Sequence, residues 1–446
     1  MEMNSQSQEK SYMASIPSKL HEFIKKIKKI GEEDPRRIIH STKVGLALTL
    51  VSFFYYFRPL YNGFGQAGMW AVLTVVVVFE FTVGGTLSKS INRGCATLLA
   101  GALGVGAEYL AGACGEKGEP VVLGLLVFSL AAVSTFTRFI PNVKRKYDYG
   151  VLIFILTFSL VAVSGYRVEQ ILELAHQRLS TILIGGATCM IISIFVCPVW
   201  AGRDLHFLVA GNIEKLAAFL QGFGGELLAC GGDESSKDSS GTNVEKSLLK
   251  SYKSVLNSKA TEESLANFAW WEPPHGKFKL KHPWKQYSKI GGLTRECACL
   301  IESLNTNTIT SKPLAPSEFT AQIRQMSTES GKALAEIAAA MKKMRRPEAH
   351  LQSAKAAADR LRSVLQNSSD LQEVAPLLVA ASVLIDVIGF ADAIAAAVGD
   401  LAREAGFEGV KTTEAHRRGI VSPVDDGEHV VVEIQAELPE KNIITT

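Results

Sequence analysis

The sequence predicts an all-α membrane protein with six transmembrane helices per chain and a helical cytosolic C-terminal domain. Three observations carry that expectation. Hydropathy divides the 446 residues into a succession of long apolar runs over residues 44–200 and a polar, charged remainder. Lysine and arginine gather in alternate loops between those runs. In the remainder, apolar residues recur at three- and four-residue spacing, and alanine-rich runs such as ALAEIAAAMKK and FADAIAAAVGD suit close packing of helices.

Taken in order, residues 1–37 form a basic cytosolic N-terminus. Its first twenty residues, MEMNSQSQEKSYMASIPSKL, have no apolar core and no small-residue cleavage site, so they are not a secretory signal and insertion relies on the first transmembrane helix. The transmembrane domain spans residues 38–202. A crossing helix needs about 20 mostly apolar residues, and segments 39–57, 67–85, 96–114, 120–136, 149–166 and 179–200 supply them, although Lys43 and Glu108 lie within the first and third. Gly101, Gly104, Gly106 and Gly112 in the third segment, and Gly185 and Gly186 in the sixth, let helix backbones approach closely.

The basic residues orient these spans. Lys25, Lys26, Lys28, Lys29, Arg36 and Arg37 precede the first, Lys89 and Arg93 follow the second, and Arg138, Lys144, Arg145 and Lys146 follow the fourth. Those regions are cytosolic by the positive-inside rule, which puts both termini in the cytosol. The helical domain then runs over residues 203–405 with a flexible linker at 230–243, and residues 406–446 form a tail. The stretch WWEPPHGKFKLKHPWKQY cannot be one continuous helix because of its prolines. It reads as an ordered excursion under the membrane domain.

Several functions are excluded. A net charge of +3 without a basic stripe argues against nucleic acid. The seven cysteines, Cys297 and Cys299 included, have no zinc-ligand spacing, and His275 and His282 lack companion ligands, so neither metal nor cofactor is expected. No GxxxxGK[ST], HExxH or GxSxG motif occurs, so the chain is not expected to be an enzyme.

The intramembrane charges are the informative residues. A charge at the centre of a transmembrane helix costs about 2.5–3.5 kcal/mol on insertion scales, so such groups have partners or water. Lys43, Lys89, Arg93 and Arg178 give the path an excess of cations, which implies an anionic permeant. Lys89 and Arg93, four residues apart, share a helical face at the cytosolic end. Arg178 lies at the opposite end, where anchoring explains a cation poorly. Glu80 either pairs with Lys43 or Lys89, holding helices in register, or is a proton site.

At MWAVLTVVVVFEFTVGGTLSKSINRG the sequence resembles the plant aluminium-activated malate transporter family, which comprises anion channels. The resemblance continues in EDPRRIIHSTKVGLALTLVSFFYY, KYDYGVLIFILTFSL, QRLSTILIGGAT, FVCPVWAGRDLH and WEPPHGKFKLKHPWKQY, covering roughly residues 33 to 300 in the family's order. It implies a homodimer, an anion path lined by basic residues, and malate, other dicarboxylates or inorganic anions as permeants. Arg178 occupies the family's pore arginine position, Lys89 and Arg93 its basic pair, and Trp271, Glu272 and Pro273 its WEP, a domain-coupling element. The loop RPLYNGFGQAG carries no carboxylate, so Glu169 and Glu173 are the candidates for extracellular cation sensing.

The expected function is a gated anion channel for malate and other anions in a plant membrane, the plasma membrane before the vacuolar one. The alternative is a proton-coupled organic-acid carrier or exporter with Glu80 as its protonation site.

Overall fold

A computed structural model describes residues 21–56, 68–115, 117–165, 171–223, 252–279, 282–309, 317–347, 352–367 and 375–407. The first twenty residues, loop residues 58–67, Glu116, Glu169, the linker 230–243 and tail residues 408–446 lie outside them, as does the side chain of Glu173. The described residues are helical without strands, apart from an isolated bridge between His275 and Phe278.

Helix α1 (residues 21–33) ends at Asp34, whose Oδ1 accepts the Arg36 N–H at 3.1 Å. That contact satisfies one free donor at the start of α2 (Arg36–Tyr56). The apolar run MWAVLTVVVV forms only ten residues of helix, α3 (Met69–Val78), before the chain breaks at Phe79 and restarts as α4 (Val83–Gly112).

The break has a local cause. Thr82 is extended, and its hydroxyl accepts the Gly85 N–H at 3.2 Å, so a helix N-cap sits inside what the sequence predicts to be one segment, 67–85. The stretch LSKSINRG, expected to be a loop, lies within α4. At 30 residues α4 is about 45 Å long, longer than the ~30 Å hydrocarbon core.

Helices α5 (Glu119–Thr137), α6 (Pro141–Gly165) and α7 (Ile171–Phe195) complete the apolar half. By length and composition, α4, α5, Pro141–Val163 of α6 and His176–Phe195 of α7 can each cross a bilayer, whereas α3 is apolar but short. Helix α4 packs along α6 and α7, and α3 along α7 and α2. A Cβ at Gly104 would come 2.7 Å from Val161, and one at Gly185 would come 2.7 Å from the Ala71 carbonyl. Gly101, Gly106 and Gly112 face open space, so only part of the glycine pattern serves close packing. Helix α5 buries Leu123 and exposes Val121, Leu125, Phe128, Val133 and Phe136, the outward apolar surface that lipid solvates.

The polar half is a bundle of α8 (Ala201–Gly222), α9 (Lys259–Ala269), α10 (Trp284–Ile309), α11 (Ser317–Lys342), α12 (Gln352–Asn367) and α13 (Ala375–Ala405). Its core interleaves Leu216 and Leu220 of α8, Ile290 and Ile301 of α10, Ile323 and Ile337 of α11, Leu361 of α12, and Leu384 and Ile394 of α13. Leu378–Ala405 of α13 is also long and apolar enough to cross a membrane. Its apolar face is instead spent on this core, and its outer face carries Asp392 paired with Lys355 and Asp400 with Lys289.

Candidate functional site

Thr86, Ser90, Arg93 and Thr97 lie three or four residues apart on one face of α4, and all four are buried. Arg93 sits about 15 Å along the helix from its first residue. Its Nη1 donates to the Tyr149 hydroxyl of α6 at 3.1 Å, while its Nε is buried without a hydrogen-bond partner. Among the described residues, Ser90 Oγ and Thr97 Oγ1, on either side, are buried and unpartnered as well.

Arg178 of α7 approaches from the facing side, 8% exposed, with its guanidinium 3.9 Å over the Trp70 ring of α3. The sequence predicts Arg93 and Arg178 at opposite ends of the membrane; α4 and α7, which carry them, pack side by side, with Gly94 against Leu183 and Ser90 against Gly186. Among the described residues, neither guanidinium has a carboxylate partner. Two buried like charges without a counter-ion are costly, and an anion held between them would relieve that cost.

Lys89, one turn before Arg93, forms an ion pair with Glu80 at the α3–α4 break. Its ammonium lies 5.6 Å from the centre of the Tyr149 ring, so Tyr149 connects Lys89 to Arg93. Of the two partners expected for Glu80, the pair forms with Lys89. Lys43 is engaged elsewhere: Nζ donates at 2.8 Å to the carbonyl of Cys197, just past the end of α7, where a cation suits the negative end of a helix.

The second cluster lies where the two halves meet. The Glu272 side chain is 1% exposed. Its Oε1 accepts the Gly84 N–H of α4 at 3.2 Å and the Ala201 N–H of α8 at 2.6 Å, and its Oε2 accepts the Gly202 N–H at 3.0 Å. One carboxylate therefore caps two helices. Val83 N–H reaches the Val199 carbonyl at 2.9 Å and Gly85 N–H the Thr82 hydroxyl, so the three donors of the first turn of α4, those of Val83, Gly84 and Gly85, have acceptors. Burial pushes the Glu272 carboxyl up to about 7, with Asp204 adding to the rise and the three N–H donors opposing it.

The approach is close enough to require glycine. A Cβ on Gly84 would sit 2.2 Å from the Phe268 carbonyl oxygen, and one on Gly202 would meet the Trp284 ring at 2.4 Å. Trp271 packs edge-on against Tyr147, Lys146 lies over Trp270 at 4.0 Å, and Asn267 donates to the Arg145 carbonyl at 2.7 Å, fastening the end of α9 to the start of α6. The Pro273 carbonyl accepts from His275 Nδ1 at 3.0 Å, and the His275 ring stacks on Trp200 at 3.9 Å. Behind this, the buried Tyr287 hydroxyl lies 2.9 Å from His206 Nδ1 and 3.2 Å from His282 Nε2, and burial pulls both histidines down to about 4.

Tyr149, Trp70, Ser90 and Thr97 were not expected from the sequence. Continuing the helix through LSKSINRG places Ser90, Arg93 and Thr97 on one face, which is the signal that could have found two of them.

These features define a multi-pass helical membrane protein with buried cations inside its apolar half. The model of the family described as Aluminium activated malate transporter matches residues 28–381. Aluminum-activated malate transporter 2 of Arabidopsis thaliana is 48% identical over 433 residues, covering 93% of this chain and 85% of the relative. Aluminum-activated malate transporter 1 of Triticum aestivum is 46% identical over 436 residues, covering 93% and 94%. The chain belongs to the aluminium-activated malate transporter family, a family of transporters or channels, and is not an enzyme.

Proposed function

We propose that the protein is a gated anion channel that conducts malate and other small organic or inorganic anions across a plant membrane, the plasma membrane before the vacuolar one. The observation that carries this reading is the pair of buried guanidiniums, Arg93 and Arg178, on facing helices without a described counter-ion. The path follows the polar face of α4, with Lys89 adding positive potential through Tyr149. Malate carries two negative charges near neutral pH and suits spaced cations, and the relatives' names carry malate transport to this chain.

In this reading α2 to α7 make six crossings, the bundle over residues 203–405 is cytosolic with both termini, and two chains form a homodimer. Glu169 and Glu173 contribute to extracellular cation sensing. The junction at Trp271, Glu272 and Pro273 transmits the state of the bundle to the start of α4. Lys43, within hydrogen-bond reach of Cys197, supports the wall of the path.

Voltage clamp of cells expressing the protein tests the proposal. Currents should reverse at the malate equilibrium potential, and Arg178→Ala and Arg93→Ala should each remove most of the current at unchanged surface abundance. Unchanged conductance in both variants would overturn the path. Flux at a fixed proton stoichiometry, abolished by Glu80→Gln, would replace the channel with the proton-coupled carrier.

A further inference from the structure

Helix α1 has no part in that path. Its sequence is HEFIKKIKKIGEE, and at about 100° per residue Phe23, Ile24, Ile27 and Ile30 fall within an arc of about 120°. The positions bordering the arc on its two sides are Lys26 and Lys28. Lys25 and Lys29 lie nearest the pole opposite the apolar face, with Glu22 and Glu32 on either side of them and Glu33 beside Lys26.

The four apolar side chains are 48–59% exposed. The packing recorded for α1 is instead at its C-terminal end, where Gly31 lies against Ile38, and Lys28 pairs with Glu32 at 3.8 Å. Only Asp34 and Pro35 separate α1 from α2, whose Ile38, Leu46, Leu50 and Phe53 are exposed in the same way. The apolar face of α1 is thus continuous in sequence with a helix that also exposes large apolar side chains.

We infer that α1 lies in the plane of the membrane interface and docks on an anionic phospholipid surface. Phe23, Ile24, Ile27 and Ile30 enter the acyl boundary. Lys26 and Lys28 extend from either border of that face to the headgroup phosphates, their stems covering apolar surface. Lys25 and Lys29 add longer-range attraction. Charge complementarity selects this occupant: lysine borders the apolar arc on both sides, and the four lysines of the helix outnumber its three acids. The inference requires that the chain spans a membrane, and holds equally for a channel or a carrier.

The test is amide hydrogen exchange on the full-length protein in nanodiscs, comparing phosphatidylcholine alone with phosphatidylcholine containing about a third phosphatidylserine. Each lysine near an anionic surface contributes on the order of fivefold in partitioning. Amides of residues 21–33 should therefore exchange about tenfold or more slowly in the anionic discs. The difference should collapse in the quadruple variant Lys25→Gln, Lys26→Gln, Lys28→Gln, Lys29→Gln, and also in Ile24→Ser with Ile27→Ser. Unchanged exchange in α4 reports that each variant is folded. Equal exchange in both lipids would overturn the inference, as would protection indifferent to the lysines, which means contact with a second copy. Protection conferred only by added calcium-loaded calmodulin would overturn it too, in favour of a protein partner.

Discussion

The carboxylate of Glu272 accepts the backbone N–H of Gly84 at 3.2 Å, closing a loop of 188 residues between the start of a membrane helix and the polar bundle. With Ala201 and Gly202 on the same group, loss of the carboxylate leaves three buried donors at two helix starts without an acceptor. Each such donor costs about 1–3 kcal/mol. Glu272→Ala should therefore lower the unfolding temperature of the detergent-solubilised protein by many degrees, and Glu272→Gln, which keeps one acceptor oxygen, by less.

The same carboxyl gives a pH signature. Its folded value is raised to about 7, above the ordinary 4.5, so the stability linked to its neutral form is complete below pH 4.5 and is lost as pH rises through about 7. Glu272→Gln has no such group. Its stability relative to the wild type should rise between pH 5 and pH 8 in thermal scans.

Gly84→Ala puts a methyl group 2.2 Å from a backbone oxygen that no side-chain rotation can move, while Gly101→Ala puts one into open space. The first should cost on the order of 1–3 kcal/mol by overpacking and the second should be neutral or mildly stabilising. Unfolding of the two variants side by side measures the difference.

How much of this was legible beforehand differs by region. The division into an apolar and a polar half and the helical class follow from the sequence; Arg93 and Arg178 stand out because charges inside apolar runs are few, and Glu272 through the resemblance of its WEP. The α3–α4 break was missed because VVVVFEF is apolar enough to conceal a stop. Thr82, three residues before Gly85, was the cap that hydropathy alone could not weigh. That Lys43 donates to the carbonyl of Cys197, just past the end of α7, is not legible in the sequence, because the two residues lie 154 positions apart.

Neutralising Glu80 leaves the Lys89 ammonium unpaired beside Tyr149 and Arg93. One unit charge within about 15 Å, at an effective dielectric of about 20, is worth ~1 kcal/mol to an anion, or about fivefold in occupancy. Glu80→Gln should raise malate currents severalfold at concentrations below half-saturation and have little effect at saturation. Transport lost at every concentration would identify a carrier.

His206 and His282 share the Tyr287 hydroxyl and are held down near 4 by burial. Unfolded, both take up protons near 6.5, so stability from this cluster is present above pH 6.5 and is lost as pH falls towards 4. His282→Gln should remove part of that acid-side loss, as seen in unfolding scans between pH 6.5 and pH 4.5.

The Glu272–Gly84 bond also sets an order of events at the ribosome. Gly84 is synthesised 188 residues ahead of its acceptor, an interval of roughly 10–40 s at about 5–20 residues per second. During that interval the first turn of α4 waits with a donor that its own half of the protein does not satisfy. A message cut short between the last apolar helix of that half and residue 272 yields a chain that lacks the acceptor for the Gly84 N–H of α4.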